Sequence, residues 1–356
     1  MHTLHPWLYR QRHLVSACDF DRASLEMIFR TTEVMKGAYL RDDFGHFASC
    51  LKNPKGRPLR FRLLFWGNST RTEGSFEDAI ETLGGTCITK QMQFSGAAKG
   101  ESHWSITRIL GPRCDGIIAR DDSEEGRTAI PHMADAIEMY SLPPMFINAG
   151  NGMLEHPTQM VLDTFSVWEK RKREFENGTL TFGLVGDLPA SRTIHSFIVG
   201  VRHFGGRIIL IGPEGWDIPR EYYARATEYP HLSIRRVTDM SSVMEEVDVW
   251  YFTRLQNNLR GEKVGPETER WYAQAYGVND FFRAKAKPDA QVYHPLPHGQ
   301  EYPDEHRETS IDILDSRFRH FEQADNGFYV RMAILALMHV PNFCETHICQ
   351  QAGAFS

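Results

Sequence analysis

Ser69-Thr70-Arg71-Thr72 sets hydroxyls and a guanidinium side by side where an apolar run gives way to a helical pattern. The run Phe61–Trp66 reads as a buried strand. Phe76, Ala79, Ile80 and Leu83, at offsets of three, four and seven, mark one face of a helix. Backbone N–H groups at a helix start lack intrahelical partners, and the helix dipole is positive there. The motif therefore has the chemistry of a seat for a phosphate dianion. Thr70 and Glu73 stand at capping-box spacing, with Gly84-Gly85 as a stop. An ordinary helix cap accounts for the same Ser and Thr, so the motif alone leaves the two readings even.

The other groups able to do chemistry follow in order. Ser95 and Lys99 lie in a polar, glycine-rich loop, Gln93–Ser105, where such residues are usually just solvated. Asp115–Arg120 reads as a strand ending in an arginine. Met145–Asn148 is a further strand running into Ala149-Gly150-Asn151-Gly152, and that loop delivers His156-Pro157-Thr158-Gln159. Proline is favoured in a first helical turn, and His156 and Gln159, three apart, can face one site. A lone histidine at a helix start is more often a cap or a surface residue; its delivery by a glycine-rich loop shifts the balance towards function.

The elements that must position these groups divide the chain. Residues 1–14 read as an irregular arm, and Phe20–Arg41 as a helix capped by Asp21. Asn53-Pro54-Lys55-Gly56 is a turn and Thr86–Thr89 a short strand. The charged helix Trp168–Asn177 leads into a second domain with strands at Leu180–Val185, Arg207–Ile211, Leu232–Val237 and Val249–Phe252, and helices at Ser191–Phe204, Pro219–Tyr229 and Met240–Val247. Such alternation means a parallel sheet covered on both faces, with ligands at the carboxyl ends of its strands. Arg192, then Arg254 with Gln256, then His294-Pro295-Leu296-Pro297 after the strand Ala290–Tyr293, all follow strand ends. Gly186-Asp187-Leu188 lacks the glycines of a dinucleotide fingerprint. Any one arginine could pair with a surface carboxylate, but Arg120, Arg192 and Arg254 together are harder to dismiss. The apolar helix Tyr329–His339 should be buried, packing back on the first domain.

At 356 residues the chain fits two domains. A net charge of −6 gives no basic footprint for nucleic acid. The N-terminus lacks the apolar core of a signal peptide, and no apolar run is long enough to span a bilayer. Six scattered cysteines in a large chain suggest reduced thiols and a cytoplasmic protein. Cys344, His347 and Cys349 cluster near the C-terminus, but without a second tight pair they read as a tail rather than a metal site. The expectation is no metal and no cofactor.

Ser69-Thr70-Arg71-Thr72, Ser95 with Lys99, Arg120, His156-Pro157-Thr158-Gln159, Arg192, Thr253-Arg254-Leu255-Gln256 and His294-Pro295-Leu296-Pro297, in this order and spacing, resemble the aspartate and ornithine carbamoyltransferases over roughly residues 15 to 340. The forms around Arg254 and His294 look like the aspartate branch. The resemblance implies an α/β fold of two doubly wound domains, each with a central parallel sheet, linked by helices. It assigns residues 1–165, with the C-terminal helix 326–340, to carbamoyl phosphate and residues 166–325 to the amino acid. By the same likeness, Ser69, Thr70, Arg71 and Thr72 hold the phosphate, and Arg71 offsets charge as it departs. Thr72, Arg120 and His156 would donate to the carbonyl oxygen. Gln159, with backbone groups near Pro295 and Leu296, would hold the carbamoyl NH2, and the Leu296–Pro297 bond would be cis. Arg192, Arg254 and Gln256, with Lys99 from a neighbouring subunit, would clamp the acceptor's two carboxylates. Ser95 and Lys99 reaching into that neighbour implies a homotrimer with shared active sites, and the likeness leaves room for a separate regulatory chain.

The implied reaction moves the carbamoyl group from carbamoyl phosphate to L-aspartate for pyrimidine synthesis. Departures from the family's usual pattern fall at Gly67 and Asn68, at Glu73, at Asn151, at His298 and at Asn257-Asn258-Leu259-Arg260. The stretch Tyr302–Arg319 is richer in charge than the family leads one to expect. These motivate a second reading, a carbamoyltransferase for another amine in a specialised pathway. A third, a catalytically silent scaffolding paralogue, should have lost parts of the donor site, whereas Arg71, Arg120, His156 and Gln159 are all present.

Overall fold

The computed structural model describes residues 12–67, 69–94, 100–256, 265–298, 315–341, 343 and 347–348. The chain divides into two units, Met1–Thr158 with Asn326–Ser356, and Gln159–Asp325.

In the first unit, strands β1 (His13–Leu14), β2 (Arg60–Phe65), β3 (Thr86–Gln91), β4 (Gly116–Asp121) and β5 (Met145–Asn151) form a parallel sheet in the order β1-β5-β4-β2-β3. Helices α1 (Arg22–Leu40), α2 (Thr70–Thr82), α3 (His103–Leu110) and α4 (Gly126–Met139) connect them. A parallel sheet needs cover on its faces, so its strands read as apolar runs. Leu64, Ile117, Ala119 and Phe146 pack with Ile130, Met133 and Ile137 of α4 and Ile106 of α3. Asp21 caps α1 through a reciprocal pair with Ser24, at 2.8 and 2.9 Å.

In the second unit, β6 (Thr181–Val185), β7 (Gly206–Ile211), β8 (Leu232–Val237), β9 (Val249–Phe252) and β10 (Gln291–Tyr293) form a second parallel sheet, ordered β10-β9-β6-β7-β8. Its helices are α5 (Pro157–Glu176), α6 (Arg192–Val201), α7 (Arg220–Thr227), α8 (Pro266–Tyr276), α9 (Asp280–Lys285) and α10 (His320–His339). Helices α5 and α10 each carry the chain from one unit to the other. Trp250, Phe252 and Val292 pack with Tyr272, Tyr276 and Phe282 to form the core on one face. Two α/β units, each built on one parallel sheet, match the fold class expected from the sequence.

Several local expectations are corrected. His13 and Leu14 are not part of an irregular arm; they pair with Phe146 and Ile147 as an edge strand. The capping box of Thr70 and Glu73 does not form. Ser69 is the N-cap residue, without a side-chain cap bond, and the Glu73 carboxylate accepts from Gln91 Nε2 at 2.6 Å instead. The neighbouring strand β3 thus offers Glu73 a better donor than its own helix end. Helix α3 begins inside the stretch read as a loop, capped by Ser102. Met240–Val247 forms only a short 3-10 turn, Met240–Val243. Helices α4, α8 and α9 form where the sequence pattern marks no element, and α10 begins at His320 rather than Tyr329. Among the described residues, no helix is long and apolar enough to cross a membrane.

Candidate active site

Because β2, β4 and β5 are neighbours, the loops leaving their carboxyl ends share one edge of the first sheet. Phe65 is in register with Arg120, and the Trp66 N–H donates to the Arg120 carbonyl at 2.9 Å. This pairing sets the first turn of α2 beside Arg120. There, Thr70 and Arg71 are exposed, Ser69 is half-buried, and Thr72 is buried. Thr72 Oγ1 accepts from Arg120 Nη1 at 3.2 Å and stands 3.4 Å from His156 Nε2. One hydroxyl thus joins three chain segments, accepting from a cation while its hydrogen can serve the imidazole. The rest of the Arg120 fork is engaged by Asp122. Nε donates to Oδ1 at 3.0 Å and Nη2 to Oδ2 at 2.9 Å.

Below this edge, His103 stacks on Trp66 with centroids 4.0 Å apart and meets Asp121 Oδ2 at 2.9 Å. Burial pushes the Asp121 carboxyl up, but the hydrogen bonds from His103 and Ser123 prevail and hold it below its ordinary value. Burial also pushes the Glu73 carboxyl up, as does the charge of Glu77, against the Gln91 bond.

The loop carrying His156 is tied down by Asn151. Its Oδ1 accepts from Asn148 Nδ2 at 3.1 Å and from the Glu155 N–H at 3.2 Å, while its Nδ2 donates to the Arg127 carbonyl at 3.3 Å. A carboxylate could not make that last bond, which gives the departure at Asn151 a local reason. Glu155 anchors the next step, accepting from Ser16 Oγ and the Ala17 N–H at 2.8 and 2.7 Å. His156 itself is 3% exposed, and Pro157 opens α5.

The second sheet repeats the logic with β6, β9 and β10 as neighbours. Arg192 opens α6 after β6, while Arg254 and Gln256 follow β9; all three are half-buried. Buried Asp187, in the loop before Arg192, accepts from the Gln256 N–H at 2.9 Å and fixes one loop against the other. Pro295 and Leu296 follow β10, the Leu296–Pro297 bond is cis, and the Leu296 N–H donates to His294 Nδ1 at 2.8 Å. In the first turn of α5, Gln159 Nε2 donates to Asp163 Oδ1 at 2.8 Å.

Sequence reasoning missed the carboxylates and the amide that hold these groups. Asp163 is 1% exposed and also accepts from Gln323 Nε2 and Tyr251 Oη, each at 2.6 Å. Burial first, and then the charge of Asp163, push the Tyr251 phenol well above its ordinary value, so it stays a donor. Gln323 Oε1 in turn accepts from the His294 N–H at 2.8 Å. The four-residue spacing of Gln159 and Asp163 was a usable signal; nothing local pointed to Gln323 or Asp122. Ser95 and Lys99 lie outside the described residues, as do Asn68, residues 257–260, Cys344 and Cys349. His347 stacks on Phe343 at 4.7 Å.

Residues 12–169 match the family described as aspartate/ornithine carbamoyltransferase, carbamoyl-P binding domain, and residues 179–338 match its Asp/Orn binding domain. The chain is 34% identical over 327 residues to the aspartate carbamoyltransferase catalytic subunit of Archaeoglobus fulgidus, covering 91% of this chain and 98% of that one. It is 33% identical over 338 residues to the multifunctional protein pyr-3 of Neurospora crassa, covering 94% of this chain but only 17% of that protein. The crystal structure of aspartate transcarbamoylase from Trypanosoma cruzi with carbamoyl phosphate and aspartate superposes with a TM-score of 0.75 at 26% identity, covering 92% of this chain and 95% of that one.

Proposed function

Because this chain belongs to the aspartate/ornithine carbamoyltransferase family, we propose that it transfers the carbamoyl group of carbamoyl phosphate to L-aspartate, giving N-carbamoyl-L-aspartate and phosphate. The observation that carries the reading is the meeting of Arg120, Thr72 and His156 at the first turn of α2. The aspartate amine, as the free base, attacks the carbonyl carbon. The carbonyl oxygen takes up charge beside Thr72, Arg120 and His156, and the C–O bond to phosphate breaks. The amine proton leaves with the phosphate or with solvent. Ser69, Thr70, Arg71 and Thr72 seat the phosphate at the helix N-terminus. Gln159 and the backbone at Pro295 and Leu296 hold the carbamoyl NH2, while Arg192, Arg254 and Gln256 clamp the acceptor carboxylates. Positioning and charge stabilisation supply the rate.

The division of labour belongs to the same proposal, with residues 1–165 and 326–340 for the donor and 166–325 for aspartate. So do a cytoplasmic setting, a role in pyrimidine synthesis and a homotrimer completed by Ser95 and Lys99 of a neighbouring copy. The test is ureido product formation from carbamoyl phosphate with a panel of amines, aspartate and ornithine included. Saturable turnover with aspartate, lost in Arg71→Ala, supports the reading; turnover with another amine alone moves the function to a different acceptor. Mixing Lys99→Ala with Arg71→Ala chains should restore activity if sites are shared, and no recovery in hybrids shown to form counts against sharing.

A further inference from the structure

The guanidinium asked to stabilise the reacting carbonyl already holds an anion of the chain's own. Arg120 Nε and Nη2 donate to the two carboxylate oxygens of Asp122, two residues on, at 3.0 and 2.9 Å. The two side chains are 12% and 26% exposed, so solvent and salt screen the pair only in part. The carboxylate also lies beside the chain that enters the phosphate seat: a Cβ on Gly67, two residues before Ser69, would stand 4.0 Å from Asp122 Oδ2. A phosphate dianion seated at Ser69–Thr72 meets a fixed negative charge beside it, one that already holds the guanidinium assigned to the neighbouring carbonyl oxygen.

We propose that Asp122 is a built-in competitor of the donor's phosphate: it keeps Nη1 of Arg120 on Thr72 and sets phosphate affinity by like-charge repulsion. Asp122 is a positioning residue in this scheme, acting through Arg120 and not on the reacting carbon. Its second effect comes after transfer. A phosphate held only by cations and helix N–H groups leaves slowly, whereas a carboxylate fixed beside it repels it and favours its departure. The inference rests on the donor-site reading above.

The probe is inorganic phosphate, titrated calorimetrically into the full chain at low ionic strength, comparing wild type, Asp122→Asn and Asp122→Ala. Both variants should bind phosphate about tenfold more tightly, the order expected for removing one like charge at short range, and the gain should shrink as salt is raised. In turnover, KM for carbamoyl phosphate and kcat should fall together as product release slows. Equal or weaker phosphate binding by folded variants, or a gain that does not shrink with salt, overturns the proposal. Arg71→Ala separates the two failures. If wild type binds phosphate and Arg71→Ala does not, the seat stands even where Asp122 has no effect; if no form binds phosphate, the seat and the competitor both fall.

Discussion

Asp163 and Gln323, 160 residues apart in the chain, share a hydrogen bond of 2.6 Å within the second unit. Gln323 passes the constraint on by accepting the His294 N–H at 2.8 Å, just ahead of the cis Leu296–Pro297 bond. Asp163 passes it the other way, to Gln159, at 2.8 Å. One buried carboxylate thus fixes both groups assigned to the carbamoyl NH2. Gln323→Leu keeps the volume but leaves buried polar partners unmet. It should lower stability by about 1–3 kcal/mol in denaturant titration and raise KM for carbamoyl phosphate. An unchanged KM would mean that the network serves stability alone.

Thr72→Val removes the oxygen that receives Arg120 Nη1 and faces His156. Thr72→Ser retains it. Steady-state kinetics should show kcat/KM falling about 10- to 100-fold in the valine variant, the order of one lost charge-assisted hydrogen bond, and recovering most of the way in the serine variant. A serine variant as poor as the valine one would assign the role to the methyl group and its packing.

Acid should destabilise the second unit through His320. Burial, and then the charges of His294 and His298, hold its pKa well below the ordinary 6.5. A depressed folded-state pKa makes the neutral form the one that folding favours. The stability it contributes is present above pH 6.5 and is lost as pH falls towards the folded-state value. Melting temperature should therefore decline as pH drops below the ordinary histidine range, and His320→Gln should show a shallower decline. Parallel slopes for the two proteins would place the acid sensitivity elsewhere.

Gly186 has φ +138°, and a Cβ there would lie 2.4 Å from Thr253 Oγ1 and 2.6 Å from the Thr253 carbonyl oxygen. Gly186→Ala should cost more than about 1 kcal/mol and push back the loop bearing Arg254 and Gln256. Kinetics should register this as a several-fold higher KM for aspartate with little change for carbamoyl phosphate. A rise in both constants would point to a wider disturbance.

The parts of this molecule legible in its sequence are those written in local periodicity. The alternation from Leu180 to Phe252 announces the second sheet, and Pro157 after a glycine-rich loop announces a helix start with a histidine at its mouth. Strand ends mark where Arg120, Arg192 and Arg254 stand, because parallel sheets gather their loops at one edge. What escapes is pairing across distance. Gln323 meets Asp163 only after a whole domain has folded. Asp122 sits two residues from Arg120 and still looks like any acid in the polar stretch Asp121–Glu125. Glu73 misleads because capping-box spacing describes an opportunity, and Gln91 on β3 offers a competing donor.

The outermost strands also bear on how crowded copies of this chain behave. An unpaired strand edge invites another chain to add to it. Among the described residues β1 offers two, and β10 is sealed along its outer side by Arg317 and Arg319, which hydrogen-bond Val292 at 2.8 and 2.9 Å. β8 carries Arg235 and Arg236, a charge barrier to a docking strand. At β3 the deterrent is weaker, since Ile88 is 51% exposed between Thr86 and Lys90. Among the described residues, β3 is therefore the sheet edge least guarded against a docking strand, and its Gln91 also holds Glu73 in the first turn of α2.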